Sequence, residues 1–368
     1  MAQADRILVV QPSWVGDAVM ATPTLRAIRE HFPCAHISYL LRRYVKPIYS
    51  GMPWADQLIT YRTGKTKAKA GKGFFDLAAR LRRGKFDLAI LLPNSFKSAL
   101  ICKMAGIDRI VGYERDGRGF LLSDKLLPVK DKGKFVPTPI VKYYMGLAHY
   151  LGSAHRDLRL ELFVTEHERK EALEVLTRAM VGDIDRPAAK GNPPLVMLNP
   201  GAQYGAAKCW LPEYFAKLAD RLTMELGATV MISAAPKERP IVEAIQRHLT
   251  HAVIDLSPLG MTLGSLKDIV RRCDLIVTND TGPRHIAAAF GVPVVTVFGP
   301  THPEWTEINF ERERKVAVKV FCGPCQKKTC PLDHRCMTRL TPGMVYDAAV
   351  GLLPKLASAS TGALAAPG

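Results

Sequence analysis

Short apolar runs alternate with helical stretches along this chain, and one segment shows the pattern most clearly. Residues 275–277 and 292–298 are β-branched and almost continuously apolar, as in parallel strands that are buried on both faces. Residues 284–290 between them are short and alanine-rich, which favours a helix. Pro283 suits the first turn of that helix and Gly291 suits its end. The segment therefore predicts a β-α-β unit.

The same alternation recurs along the whole chain and predicts two α/β domains joined by a linker. We expect the first domain at residues 1–180, a linker rich in Gly, Pro and Ala at 181–194, and the second domain at 195–340. A final helix at 341–353 is expected to pack back toward the first domain. Residues 354–368 are small and are predicted to form a disordered tail.

Three local patterns lead to further expectations. Residues 18–31 predict one continuous helix after the first strand, and residues 158–164 predict a strand. Residues 62–72 are basic and have no apolar period, so they predict a loop. This loop either contacts acidic groups of a substrate or is only solvated.

The residues Asp280, Thr281 and Gly282 follow the strand of the β-α-β unit and precede its helix. Unpaired N–H groups and the helix dipole favour an anion such as a pyrophosphate at this position. An ordinary turn with an N-cap would have the same spacing. His285 would place a hydrogen-bond donor beside the anion, although it could also be a core histidine.

Gly16 and Asp17 form a second polar turn, directly after the first strand. Asp17 is a candidate general base, or only an N-cap of the following helix. A helix N-terminus lowers the pKa of a carboxylate, so Asp17 would be a weak base unless burial or substrate raised that pKa.

These motifs resemble those of glycosyltransferase family 9, the ADP-heptose:lipopolysaccharide heptosyltransferases. The resemblance rests on Asp-Thr-Gly-x-x-His at 280–285, Gly-Asp at 16–17, Thr-Pro-Thr-Leu at 22–25, and Pro-Gly-Ala with Lys-x-Trp within 200–210, and it extends over residues 6–342. It implies an α/β fold of the GT-B type, in which two doubly wound Rossmann-like domains face a central cleft.

The resemblance also implies an activity and a site. Heptose would pass from ADP-heptose to the lipopolysaccharide inner core, with inversion and without a catalytic metal, and Asp17 would be the base. Lys97 and Arg115 follow strand ends and would bind the acceptor. The residues implied to bind the nucleotide sugar are Lys208, Glu238, Met261, Asp280, Thr281, Gly282 and His285. Two alternatives stay open: a family 9 enzyme with another sugar or acceptor, and a non-catalytic glycolipid- or nucleotide-binding protein.

The charge of the chain indicates an anionic partner. Lys and Arg total 51 against 34 Asp and Glu, which gives a net charge of +17. The basic residues are spread along the chain without an RNA-binding signature, which favours an anionic membrane surface over nucleic acid. A basic proteome would give the same average. The chain has neither a signal peptide nor a membrane-spanning run, so we expect a cytoplasmic enzyme bound peripherally to the inner face of the membrane.

Four of the eight cysteines lie close together in the sequence: Cys322, Cys325, Cys330 and Cys336. In a reducing compartment such a cluster favours metal over disulfides, so we consider one structural zinc ion. The spacing is denser than in common zinc knuckles, which leaves a metal-free cluster open. The pair Asp183 and Asp185 could bind a divalent metal, but its setting in the linker argues against this.

Overall fold

A computed structural model describes residues 4–62, 67–182 and 193–353, with the backbone only at 67–72 and 134. It contains two six-stranded parallel sheets and one small hairpin. The first sheet contains β1 (Arg6–Val10), β2 (His36–Arg42), β3 (Gln57–Tyr61), β4 (Leu88–Leu91), β5 (Arg109–Tyr113) and β6 (Asp124–Leu126), and the hairpin contains β7 (Lys130–Asp131) and β8 (Lys134–Phe135). The second sheet contains β9 (Leu195–Asn199), β10 (Thr229–Ile232), β11 (Ile254–Asp255), β12 (Leu275–Asn279), β13 (Val294–Phe298) and β14 (Glu313–Ala317).

Helices connect the strands of both sheets. Around the first sheet they are α1 (Val15–Met20), α2 (Thr22–His31), α3 (Lys46–Tyr49), α4 (Lys67–Arg82), α5 (Phe96–Met104) and α6 (Ile140–Tyr150), followed by α7 (Glu166–Arg178). Around the second sheet they are α8 (Pro212–Leu226), α9 (Arg239–Gln246), α10 (Leu263–Arg272), α11 (Gly282–Ala289), α12 (Arg335–Thr338) and α13 (Pro342–Val350).

Both sheets have the same doubly wound topology. The strand orders are β3-β2-β1-β4-β5-β6 and β11-β10-β9-β12-β13-β14, so the order reverses beside the first strand of each half. Strands β4, β9, β12 and β13 are buried along their whole length, as their continuous apolar runs require. The predicted GT-B arrangement is confirmed, and its ligands are expected at the carboxyl edges, next to these reversal points.

The two halves pack against each other through helices. The first turns of α1 and α11 are in contact, and α7 packs along α10. Lys267 of α10 is buried, forms an ion pair of 3.0 Å with Glu168 of α7, and donates to the carbonyl of Phe163 at 2.7 Å. Helix α7 thus lies on the second half, although its residues belong to the predicted first domain. The domain boundaries stay a prediction.

The sequence prediction was wrong at several element boundaries. Residues 18–31 do not form one helix, because the chain breaks at Ala21 and α2 restarts with Pro23 in its first turn. Residues 67–72 are helical rather than part of a loop, since Lys and Ala are good helix formers. Residues 63–66 of the expected loop lie outside the described residues.

Residues 158–164 do not form the predicted strand. Leu160 and Leu162 are buried in alternation, which produced the strand prediction. The polar backbone groups bond to side chains instead of a neighbouring strand: the amide of Glu161 donates to Thr22 Oγ1 at 3.2 Å, and the carbonyl of Phe163 accepts from Lys267.

The final helix does not pack toward the first domain as expected. Helix α13 packs against α8, β13 and β14, and Val345, Tyr346 and Ala349 belong to the core of the second half. The predicted tail, and residues 183–192 of the linker with Asp183 and Asp185, lie outside the described residues. No helix in the described ranges is long and apolar enough to cross a bilayer.

Candidate active site

Asp17 lies in the first turn of α1, at the carboxyl edge of the first sheet. The N-cap of α1 is Trp14, and Asp17 occupies the third helical position, so the N-cap interpretation of Asp17 is wrong. Trp14 itself is 53% exposed beside this turn.

Asp280 is the centre of a buried charge cluster at the matching edge of the second sheet. It follows β12 and is 4% exposed. Lys208 Nζ lies 2.6 Å from its Oδ2, Arg284 Nη1 lies 3.2 Å from its Oδ1, and the hydroxyls of Thr301 and Thr306 complete its partners. Burial alone would raise the pKa of Asp280, but the two cations outweigh it and lower that pKa to about 2. The carboxylate is therefore ionised and holds Lys208 in place.

The carboxyl group of Asp17 is in the opposite situation. Asp17 retains some exposure to solvent, but the surrounding protein desolvates its carboxyl group. Desolvation raises its pKa, the charge of Asp280 raises it further, and Lys208 counteracts both, which leaves a pKa of about 6. Tyr49 and Tyr144 lie nearby and are buried; burial raises their pKa values, and the charge of Asp17 raises them further. Burial therefore overcomes the effect of the helix dipole, and the pKa suits a general base near neutral pH.

His285, in the first turns of α11, is 2% exposed. Desolvation lowers its pKa to about 3, with a further contribution from Arg284, so the imidazole is neutral. Within the described residues its Nδ1 is buried and has no hydrogen-bond partner. A buried ring nitrogen without a partner is costly, and it is available to a bound ligand or water.

Two glycines allow α1 and α11 to approach across the cleft. A Cβ atom at Gly16 would lie 2.9 Å from His285 Cδ2, and one at Gly282 would lie 2.8 Å from a methyl carbon of Val15. Any larger residue at either position would push the two first turns apart. The glycines thus bring the candidate base of one half next to the charge cluster of the other.

A loop at residues 200–208 forms the next wall of the site. Asn279 at the end of β12 fixes it, because its side chain donates to the carbonyl of Pro200 at 2.7 Å and accepts from the amide of Trp210 at 3.1 Å. Glu238 lies directly over Gly201, where a Cβ would lie 2.1 Å from the carboxyl carbon. Glu238 also accepts from the amide of Ala235, so it has a local structural role as well. Met261 packs, partly buried, on the core that spans both halves.

Sequence reasoning missed the deepest pair of the cluster. Arg284 is fully buried, and its Nε and Nη2 lie 2.6 and 3.0 Å from the two carboxylate oxygens of Glu313. Thr296 Oγ1 also donates to Glu313 at 2.6 Å. Arg284 falls inside the Asp-Thr-Gly-x-x-His motif, at the i+4 position from Asp280, so the helical spacing of opposite charges was a signal that could have found it.

Comparison with known proteins identifies the family. Residues 74–335 match the family model described as "Glycosyltransferase family 9 (heptosyltransferase)". The chain belongs to glycosyltransferase family 9. It is 31% identical to lipopolysaccharide heptosyltransferase 2 of Escherichia coli K12 over 95% of this chain and 98% of that protein, and 32% identical to lipooligosaccharide heptosyltransferase 2 of Haemophilus ducreyi over 82% and 85%. The solved structure of E. coli ADP-heptose LPS heptosyltransferase II superposes with a TM-score of 0.75 at 28% identity, covering 94% and 98%.

This family 9 member is thus a glycosyltransferase, and Asp17, Lys208, Asp280 and His285 all come together where its two halves meet. The residues predicted to bind the acceptor lie on the first half, after β4 and β5. Lys97 is exposed at the start of α5, while Arg115 is partly buried and stacks 3.9 Å above the ring of Phe135.

Arg118 is a further cation on this side that sequence reasoning missed. It is fully buried, and among the described residues its hydrogen bonds go to the carbonyls of Tyr113, Pro93 and Ser95, and to Ser98 and Asn94 rather than to a carboxylate. Burial lowers the pKa of Arg118 to about 10, so the group stays charged at neutral pH. It fixes the turn after β4 and adds positive potential there.

In this family 9 chain, hydrogen bonds join the cysteine-rich segment to the 200–208 loop. The amide of Ala207 donates to the carbonyl of Lys328 at 3.0 Å, Tyr204 donates to the carbonyl of Gln326 at 2.6 Å, and His334 Nε2 lies 2.8 Å from the carbonyl of Ala207. Cys322, Cys325, Cys330 and Cys336 are all free thiols. Burial raises the pKa of Cys336, and the neighbouring thiols of Cys330, Cys322 and Cys325 raise it further, to about 11.

Zinc at this cluster stays a prediction. In the described part of the chain, no three His, Cys, Asp or Glu side chains are placed to hold a metal ion. If the four thiolates close around zinc, protein purified without chelator should contain about one equivalent of zinc, and chelation should release it. Metal-free protein with four reactive thiols would rule the site out.

Proposed function

We propose that this enzyme transfers heptose from ADP-heptose to a hydroxyl of the lipopolysaccharide inner core, at the cytoplasmic face of the membrane. The names of the relatives support this choice of donor and acceptor class. The observation that carries the proposal is the meeting of Asp17 with the Lys208, Asp280 and His285 cluster across the cleft. A base on one side and cationic and neutral donors on the other suit an in-line displacement of a nucleoside diphosphate.

Asp17 would accept the proton of the acceptor hydroxyl as that oxygen attacks the anomeric carbon. The new glycosidic C–O bond forms while the bond from the anomeric carbon to the phosphate oxygen breaks, and the electron pair leaves with ADP. Attack from the face opposite the diphosphate inverts the anomeric configuration. The proton remains on Asp17 until solvent removes it, which a pKa of about 6 allows near neutral pH.

The second half would bind the departing diphosphate. The amides of Thr281 and Gly282 at the start of α11, together with the dipole of that helix, favour an anion. Lys208 adds a positive charge that Asp280 already orients, and neutral His285 can donate one hydrogen bond. These groups would supply charge stabilisation without a metal ion. Glu238 and Met261 would contact the ribose and adenine.

Lys97 and Arg115 would bind acidic groups of the acceptor on the first half. Arg118 would act indirectly, because it holds the carbonyl groups of the turn from which α5 and Lys97 start. The first half would thus bind the acceptor, and the second half would bind the nucleotide sugar.

Thermal stabilisation by candidate donors tests this proposal. ADP-heptose should raise the melting temperature more than UDP-glucose or GDP-mannose, because a ligand that binds only the folded state stabilises it. Conversion of purified inner-core acceptor then tests transfer directly. Preferential stabilisation by another nucleotide sugar would favour the alternative of a family 9 enzyme with a different donor.

Lys208→Ala is expected to weaken ADP binding by about 10- to 100-fold, since a hydrogen bond to a charged group is worth roughly 1.5–3 kcal/mol. Isothermal titration with ADP measures the effect. Lys217→Ala, which removes an exposed lysine of α8, is the matched control and should bind ADP normally. Unchanged ADP affinity in Lys208→Ala would remove Lys208 from the donor site.

A further inference from the structure

Five large apolar side chains are exposed at one edge of the first sheet, and we call them the edge patch: Phe96, Phe120, Leu127, Val129 and Phe135. Phe120 and Leu127 are the most exposed, at 73% and 74%. Exposure of these side chains to water is unfavourable, and burying them against a partner would stabilise the bound state. An exposed apolar cluster of this kind marks an interaction surface.

The topology places the edge patch at the carboxyl ends of β4, β5 and β6. Phe96 starts the helix after β4, Phe120 lies in the turn after β5, and their rings are 6.0 Å apart. Leu127 directly follows β6, which pairs with β5, and Val129 is joined to the hairpin by the bond from the Val136 amide to its carbonyl. Asp17 follows β1 at this same edge of the sheet.

Cations surround these apolar side chains. Arg115 stacks on the ring of Phe135 at 3.9 Å, and the ammonium group of Lys130 lies 5.0 Å from the same ring. Lys125 and Lys132 are exposed on the adjoining strand and hairpin. Within residues 125–132, exposed lysines thus lie next to the exposed Leu127 and Val129, with Asp131 as the one exposed carboxylate of this run.

This combination fits a lipid surface better than a protein partner. Protein interfaces are depleted in lysine, particularly at their centres. At a bilayer, apolar side chains enter the boundary between head groups and acyl chains, while neighbouring Lys and Arg stay with anionic head groups. We propose that the edge patch docks this enzyme onto the anionic surface of a phospholipid bilayer.

The biological role of this docking rests on the proposed function. A glycolipid acceptor is anchored in a bilayer, and the edge patch lies at the sheet edge where the acceptor hydroxyl must meet Asp17. Docking there would bring the inner core to the cleft without extracting the lipid. Binding to a bilayer can nevertheless be measured without any sugar transfer.

Sedimentation of the full chain with vesicles, in the absence of donor, tests the inference. The wild type should bind vesicles of phosphatidylcholine mixed with anionic phosphatidylglycerol, and bind pure phosphatidylcholine weakly. Phe120→Ser/Leu127→Ser and Lys130→Ser/Lys132→Ser should each lower the affinity for anionic vesicles by about tenfold or more. Met224→Ser is the control, because Met224 is 66% exposed on α8 of the other half.

The outcomes separate docking from catalysis. Phe120→Ser/Leu127→Ser should retain wild-type transfer to an acceptor freed of its acyl chains, and lose transfer to the same acceptor in vesicles. If the transfer reaction itself is assigned wrongly, the vesicle measurement still stands. Wild-type protein that stays in the supernatant, or a double variant that binds like the wild type, would overturn the proposal and favour a protein partner.

Discussion

Asp17→Asn is expected to lower turnover by about 100- to 10,000-fold, the range that general-base catalysis supplies. The amide has nearly the same volume as the carboxylate, and α1 does not depend on residue 17 for its cap, because Trp14 occupies that position. The fold and the charge cluster at Asp280 should therefore survive. Turnover with saturating donor and acceptor measures the loss.

Binding of ADP separates a chemical defect from a structural one. Asp17→Asn should bind ADP at least as well as the wild type, because it removes a negative charge near the proposed diphosphate site. Asp76→Asn, which changes an exposed carboxylate on α4, should leave turnover unchanged. If Asp17→Asn retains more than about a tenth of wild-type turnover, another group must accept the proton.

The pH dependence follows from the direction of the shift. Asp17 acts as a base only when ionised, and its pKa is raised to about 6, so turnover should be full above that pH and fall below it. An unperturbed aspartate would instead keep the enzyme active to about pH 4. Lys208→Ala should move the midpoint upward, because Lys208 lowers the pKa of Asp17. An unmoved midpoint would show that the two side chains do not interact.

The fold could be predicted from the sequence because its signals are local. A strand such as 275–279, buried on both faces, must be continuously apolar, and each strand in a doubly wound sheet precedes a helix with recognisable end signals. The positions of the candidate base and of the turn at residues 280–282 were predictable for a related reason. Both follow strands, and parallel strands bring their carboxyl ends to one edge.

What could not be predicted depends on which element packs against which. Residues 158–164 have the alternation of a strand, yet their neighbours are side chains of α2 and α10. The pKa of Asp17 depends on Asp280 and Lys208, which are distant in the sequence. The helix dipole, which lowers that pKa, was visible locally, whereas the burial that raises it has no local signal and could only be named as a condition.

Glu313→Gln is expected to lower the free energy of unfolding by about 3–5 kcal/mol, the cost of leaving a buried charge without its partner. Lys208, Arg284, Asp280 and Glu313 are all buried, with two charges of each sign. The change leaves two cations with the single carboxylate of Asp280. It also places an amide N–H group or a neutral oxygen where Arg284 now donates twice, at 2.6 and 3.0 Å.

Urea unfolding with a second variant distinguishes charge imbalance from altered packing. Arg284→Met/Glu313→Gln removes both charges and should regain part of the loss, because a buried pair costs most when only one partner is removed. Glu225→Gln, at an exposed pair with Arg221, should leave stability unchanged within error.

The buried pair also holds Asp280 through Arg284, and Asp280 positions Lys208. Glu313→Gln should therefore weaken ADP binding as well, although Glu313 itself need not touch the nucleotide. A loss below about 1 kcal/mol would mean that water or a shift of Asp280 satisfies Arg284, and the cluster would then be a weaker support for the site than its geometry indicates.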